Sequence, residues 1–212
     1  MSTTSTKLVL ATKNLGKVAE FQRLLSEHAS GIKVLGLADF PNMPEVIESG
    51  KTLSQNAFLK AKMISAFTNL PTLSDDSGLF IDALAGDPGI YSARWAQYQG
   101  SDSKEQDLLN ISKVLTQLKE VRSDKRSAQF MAAVVFYKAG ADHLPLERVE
   151  IGVLAGEIIS APLGSGGFGY DPIFIPTGYN QTLAQLSPVI KDKISHRGIA
   201  LRAIAPFILD HL

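Results

Sequence analysis

The sequence contains no cysteine. Disulfide staples, thiolate metal sites and cysteine nucleophiles are therefore excluded. It also lacks net charge: 21 Lys and Arg balance 21 Asp and Glu, and no dense basic run breaks that balance. A nucleic-acid surface or an attachment to anionic lipid would need such a run, so neither partner is expected. Apolar stretches of membrane-spanning length are missing, and the opening MSTTSTKLVL has no leader-like hydrophobic region. No repeat, low-complexity tract or long linker interrupts the chain. What remains is a composition 45% hydrophobic and 20% charged over 212 residues. That suits an ordinary cytoplasmic globular protein, of one large domain or two lobes.

The stretch 73–95 carries the strongest signal. Asp75 and Asp76 follow the apolar Leu70 and Leu73 and precede Ser77-Gly78, which reads as a strand-to-turn junction. Neighbouring like charges repel, and a bound cation or one raised pKa offsets that repulsion most easily. Two or three carboxylates suit Mg²⁺, which keeps several waters and shares a substrate's phosphates. For the pair alone, an Asx-turn with both side chains in solvent fits equally well.

Residues 7–11 read as a strand, and Val18, Phe21, Leu24 and Leu25 fall at helical spacing. The polar turn between them, Thr12-Lys13-Asn14-Leu15-Gly16-Lys17, would present backbone N–H groups and two lysines to an anion. It is not a P-loop, because the GxxxxGK[ST] spacing is absent. Asn14 serving only as a helix N-cap would explain the turn equally simply. A second strand is expected at 32–37, followed by a loop carrying Glu45 and Glu48. Thr52-Leu53-Ser54-Gln55 fits a capping box opening a helix through Ala57, Lys60, Ala61, Ile64 and Phe67. Glu48 can serve that helix's macrodipole or turn toward the aspartate pair.

Further along, 89–98 suggests a short helix, and 103–121 an amphipathic one with Leu108, Ile111, Leu115 and Leu118 on one face. The run 127–137 is strongly β-prone, and 146–160 reads as a second strand pair bent at Gly152 and Gly156. The glycine-dense 162–172 lets backbone approach a ligand closely. There Phe168 or Tyr170 would either stack on a base or fold back on the core. Lys191, Lys193, His196 and Arg197 gather before a final helix with Ser195 as its expected N-cap. Cations at a helix N-terminus oppose the macrodipole, which favours an anion or carbonyl-rich ligand nearby. Short strands alternating with helices indicate an α/β fold, and the successive strands in 127–160 make the sheet mixed.

Taken together, these blocks resemble the inosine/xanthosine triphosphate pyrophosphatases, enzymes that remove noncanonical purine nucleotides from the pool. The matching pieces are residues 12–17, Glu48-Ser49-Gly50 with Thr52 and Asn56-Ala57, residues 74–79, 88–94, 167–174, and Lys191 with 194–198. They span nearly the whole chain. The resemblance implies one family-type domain over 1–212, an elongated two-lobed α/β fold with a long mixed sheet, and a nucleotide cleft between the lobes. It also implies homodimers and Mg²⁺-dependent cleavage of a nucleoside triphosphate to monophosphate and pyrophosphate.

Carried over residue by residue, Asp76 resembles the general base, with Glu48, Asp76 and Asp75 around Mg²⁺. Thr12, Lys13, Asn14, Leu15, Gly16 and Lys17 would cradle the triphosphate, with Ser77 and Lys60. Phe168 would stack on the purine beside Gly169 and Tyr170, while Asp171, Lys191, His196 and Arg197 read its edge. Two positions depart from the family's habit: Gln55 replaces a common Glu, and Leu163 a common Arg. A catalytically silent nucleotide sensor and a phosphohydrolase of other modified nucleotides are the alternatives. The intact carboxylates argue against the first, and the purine-facing residues against the second.

Overall fold

Among the described residues, six strands form one sheet in the order β2-β1-β3-β4-β5-β6. The computed structural model describes residues 6–26, 32–140 and 144–212. The side chains of Leu15, Leu24 and Ser26 lie outside the described residues, as do positions 1–5. Strand β1 (Thr6–Leu10) leads into α1 (Leu15–Ser26), and β2 (Ile32–Leu35) returns parallel to β1. Helix α2 (Leu53–Thr68) precedes β3 (Thr72–Ile81), which also pairs parallel with β1, Val9 opposite Thr72. Helix α3 (Ser103–Gln117) is followed by β4 (Ser127–Lys138), β5 (Leu146–Ile158) and the short β6 (Phe174–Pro176). Antiparallel pairing of β5 with β6 makes the sheet mixed, as expected. Helices α4 (Pro188–Ile194) and α5 (His196–His211) complete the chain.

The chain forms two compact units. The first is drawn from Met1–Asp76, Ala132–Gly152 and Arg197–Leu212, the second from Ser77–Met131 and Val153–His196. In the first, Leu8, Leu10, Phe21, Leu73, Phe136, Leu201 and Ile204 pack between strands and the helices α1 and α5. In the second, Leu79, Ile81, Ile111, Val114, Phe130, Ile173 and Phe174 form the core. Alternating strand residues and the inner stripes of α1, α3 and α5 supply these side chains.

Several sequence expectations change. No turn forms at Ser77-Gly78; β3 runs straight through both aspartates. Gly78 is there because a Cβ would sit 2.2 Å from the Gly89 carbonyl oxygen, so it permits close packing rather than a turn. The region 146–158 is one strand instead of a pair. Gly156 admits the Ile175 carbonyl, which a Cβ would meet at 2.3 Å. Helix α3 stops at Gln117, and Arg126 caps its end by donating to the Leu118 and Val121 carbonyls. Leu108 is exposed; the buried stripe of α3 runs instead through Asn110, Ile111 and Val114. Residues 89–94 wind as a 3₁₀ segment.

Candidate active site

In the turn after β1, the Thr12 hydroxyl accepts the Asn14 N–H at 3.1 Å, and Asn14 Oδ1 accepts the Lys17 N–H at 3.1 Å. Asn14 thus opens α1 as a side-chain cap, with Leu15 and Gly16 in the first turn. Lys13 is exposed on this turn, while Lys17 turns inward and reaches Asp75 Oδ2 at 2.9 Å. A polar helix start with one exposed lysine is well suited to meeting phosphate oxygens.

Side chains alternate along a strand, so consecutive residues of β3 project to opposite faces. The two aspartates consequently have different company. Asp75 Oδ2 accepts from Lys17 and from Arg197 Nε (3.1 Å), and Arg197 NH1 also contacts Glu20 at 3.3 Å. Burial pushes the Asp75 carboxyl up, but the Lys17 and Arg197 cations outweigh it and hold it well below the usual carboxylate range. Asp76 Oδ2 accepts from Asn56 Nδ2 at 3.1 Å, and Oδ1 lies 3.5 Å from Lys60 Nζ. Its pKa is raised by burial; Lys60 opposes that, and the negative charge of Glu48 adds to it.

Glu48 reaches the same ammonium, its Oε1 3.0 Å from Lys60 Nζ. Burial alone would lower the Lys60 pKa, but Asp76, Asp75 and Glu48 together raise it. Asn56, wholly buried, organises this corner: its Oδ1 accepts the Gly50 N–H at 2.8 Å while its amide holds Asp76. The expected cap is present, since Thr52 accepts the Gln55 N–H. Gln55 itself accepts the Lys51 N–H at 2.7 Å rather than that of Thr52.

The second unit holds another cluster. Asp171 Oδ2 accepts from Lys191 Nζ at 2.5 Å and from the Phe168 N–H at 2.9 Å. The same ammonium stands 4.8 Å from the centre of the Phe168 ring, a cation–π contact. His196, buried, stacks on Phe130 with centroids 4.9 Å apart and planes 9° from parallel. Tyr170 is a core residue instead of a second stacking platform: it is buried, and its hydroxyl donates to the Ser92 carbonyl at 2.8 Å. Gly167 and Gly169 adopt φ of +73° and +61°, which L side chains rarely tolerate. Lys191 rides on α4, a helix missed in the sequence although Ser187 and Pro188 are an N-cap and N1 signal. Ser195 closes α4 at its C-terminal end, its N–H donating to the Lys191 carbonyl.

Of the three carboxylates expected around Mg²⁺, Glu48 and Asp76 stand together. Glu48 and Asp76 converge on Lys60, whereas Asp75 is committed to Lys17 and Arg197. Among the described residues, no group of three or more His, Cys, Asp or Glu gathers around one point. Two carboxylates that already share a cation still fit a hard divalent ion whose other ligands are water and phosphate. Arg197, expected at the purine edge, is placed as a counter-ion of Asp75 and Glu20. Asn56 and Glu20 were not anticipated as site residues. Asn56 stood inside a recognised block, but nothing local marked Glu20, whose partner lies 177 residues away.

The mixed α/β sheet thus carries a carboxylate–lysine cluster at β3, and the glycine loop an aromatic–lysine–aspartate cluster. The chain belongs to the Ham1 family, whose profile matches residues 8–207. It is 41% identical over 207 residues to a dITP/XTP pyrophosphatase of Streptomyces coelicolor, covering 98% of this chain and 99% of that protein. A dITP/XTP pyrophosphatase of Vibrio cholerae is 44% identical over 198 residues, covering 93% and 94%. Among solved structures, a HAM1 protein from Coxiella burnetii superposes with a TM-score of 0.82 at 36% identity, covering 97% of this chain and 99% of that one.

Proposed function

We propose that this protein hydrolyses noncanonical purine nucleoside triphosphates (ITP, dITP and XTP) to the monophosphate and pyrophosphate, with Mg²⁺ as its metal. The observation that carries the proposal is Asp76, a buried carboxylate held by Asn56 and Lys60 beside Glu48, in a chain whose full-length relatives are named dITP/XTP pyrophosphatases.

Phosphoryl chemistry needs positioning and charge neutralisation more than a covalent nucleophile. Asp76 is the general base: it takes a proton from the attacking water as the α–β anhydride bond breaks and pyrophosphate leaves with the bridging oxygen. Without metal, burial raises its pKa above that of an ordinary aspartate. Asn56 fixes its orientation, and Lys60 balances its charge. Glu48 and Asp76 would hold Mg²⁺, which supplies electrostatic stabilisation of phosphate charge when bound. Thr12, Lys13, Asn14, Leu15, Gly16, Lys17 and Ser77 contact the phosphates.

In the second unit, Phe168 stacks on the purine, and Lys191, Asp171 and His196 read its edge. A 6-oxo group accepts from the Lys191 or His196 N–H, whereas the 6-amino group of adenine leaves those donors unpaired. A site built on hydrogen bonds therefore rejects ATP strongly. The family resemblance supports a homodimer acting in the cytoplasmic nucleotide pool, and sedimentation equilibrium tests the assembly.

The deciding experiment is steady-state hydrolysis of ITP, XTP, ATP and GTP, with pyrophosphate and orthophosphate assayed separately, with Mg²⁺ and after chelation. Pyrophosphate from ITP and XTP, with ATP and GTP far slower, is the expected result. Orthophosphate release would assign a different phosphohydrolase. Tight ITP binding without turnover would make the protein a sensor.

A further inference from the structure

Residue Asp107 lies on α3, 62 positions before the loop it touches. Its Oδ2 accepts the Gly169 N–H at 2.7 Å, and the preceding amide, that of Phe168, is taken by Asp171 at 2.9 Å. Two successive peptide N–H groups are therefore each bound by a separate carboxylate. Gly169 has φ of +61° with nothing within 4 Å of where a Cβ would stand. Glycine is needed there for its backbone conformation, and the anchored amide selects one orientation of the peptide between Phe168 and Gly169. That peptide sets the direction in which the Phe168 ring leaves the chain.

The ordinary duties of a helix carboxylate are performed by others. Asp102 caps α3 by accepting from the Lys104 and Glu105 N–H groups, and Glu105 is the acidic residue of the first turn. Asp107 is one turn too far along to serve either role. It is partly buried, and burial, with the negative charge of Asp171 adding to it, raises its pKa against the pull of the Gly169 N–H. A carboxylate placed at that cost on a packed face needs a compensating partner, and Gly169 is one.

The same helix also holds the segment 92–96, which the loop touches. Asn110 Nδ2 donates to the Ser92 and Ala93 carbonyls, and its Oδ1 accepts the Ala96 N–H at 2.8 Å. The Tyr170 hydroxyl donates to that same Ser92 carbonyl. Phe168 is thus followed by two residues tied to α3, one directly and one through Ser92.

We propose that Asp107 is a positioning residue for purine selection, latching the Gly169 amide so that Phe168 and Lys191 meet the base in one fixed arrangement. This rests on the assignment of Phe168 to the purine made above. The latch acts on binding and discrimination, not on the water-activating carboxylate Asp76, so its loss falls on KM.

The test compares Asp107→Ala, which deletes the acceptor, with Asp107→Asn, which keeps an acceptor oxygen without charge. Removing one such bond is expected to raise the KM for ITP about 3–10-fold, leave kcat within about twofold, and lower the ITP-to-ATP preference similarly. Asp107→Asn should recover most of the loss. Hydrogen–deuterium exchange on the nucleotide-free proteins should quicken at 164–171 in Asp107→Ala alone, at unchanged melting temperature of the remainder. If that exchange does not change, the latch is absent. Faster exchange with unaltered KM and preference would show that the latch does not govern selection, while leaving the pyrophosphatase reading intact. Asn behaving like Ala would place the effect in charge and overturn the latch. Wild-type protein that does not discriminate ITP from ATP would overturn the reading itself, and the inference with it.

Discussion

Asp75 and Asp76 are consecutive in the chain yet bind different partners: Asp75 takes Lys17 and Arg197, and Asp76 takes Asn56 and Lys60. Strand geometry separates what the sequence places side by side. One carboxylate is consumed by ion pairs that hold the unit together. The other has one weak cation contact and one amide, and remains available for chemistry.

Asp76→Asn should therefore lower the turnover of ITP by about 10²–10⁴-fold, the usual worth of a general base, while the fold survives. Asn can still accept from Asn56 or Lys60, and it relieves the repulsion from Glu48. The checks are kcat under saturating ITP and a melting curve followed by circular dichroism. Near wild-type turnover would remove Asp76 from the role of base.

Asp75→Asn should have the opposite signature, a loss of stability that depends on pH. It leaves the buried Lys17 and Arg197 without their shared anion, a change worth about 3–5 kcal/mol when one partner of a buried pair is removed. The folded-state pKa of Asp75 is depressed, so its contribution is fully present above the unfolded value of about 4 and fades as pH falls toward the folded value. Urea unfolding of metal-free protein at neutral pH and near pH 3 measures this. The gap between wild type and variant should narrow at the lower pH. An equal gap at both would show that charge on Asp75 is not what stabilises the unit.

What could be read from the chain follows the range of the interactions. The β1–α1 start, the Thr52 cap and the long β4 strand are local, and their signals lie within a few residues. The end of β3 was misjudged because Ser77-Gly78 looks like a turn, and only the backbone of Gly89 pressed against Gly78 shows why glycine is required. Arg197 was expected at the base through the family resemblance of the 194–198 block. Its partners Asp75 and Glu20 lie 122 and 177 residues away, beyond any local pattern. Tyr170 and Phe168 look equivalent in the chain, and the Ser92 carbonyl that separates their roles is 78 residues from Tyr170.

The raised pKa of Asp76 can be read directly in metal-free protein by ¹³C carboxylate NMR. Its midpoint should lie above the ordinary aspartate value of about 3.9. Glu48→Gln removes a neighbouring negative charge and should move the midpoint down; Lys60→Met removes the opposing cation and should move it up. A midpoint that ignores both substitutions would mean that the three side chains do not share one electrostatic cluster in solution.

Arg197 and Lys191 should separate cleanly when each is replaced. Arg197→Ala leaves Asp75 and Glu20 buried without their guanidinium, so its main effect is a lower melting temperature, with the ITP-to-ATP preference of the folded fraction retained. Lys191→Met keeps an aliphatic stem against Phe168 but loses the ammonium that bonds Asp171. If Lys191 donates to the 6-oxo group as proposed, its loss should cost about 1.5–3 kcal/mol, or roughly 10–150-fold in kcat/KM for ITP, with ATP affected much less. Specificity ratios and melting temperatures measured on both variants decide the matter. A collapse of base preference in Arg197→Ala at unchanged stability would return Arg197 to the purine edge and show that its ion pairs with Asp75 and Glu20 open when nucleotide binds.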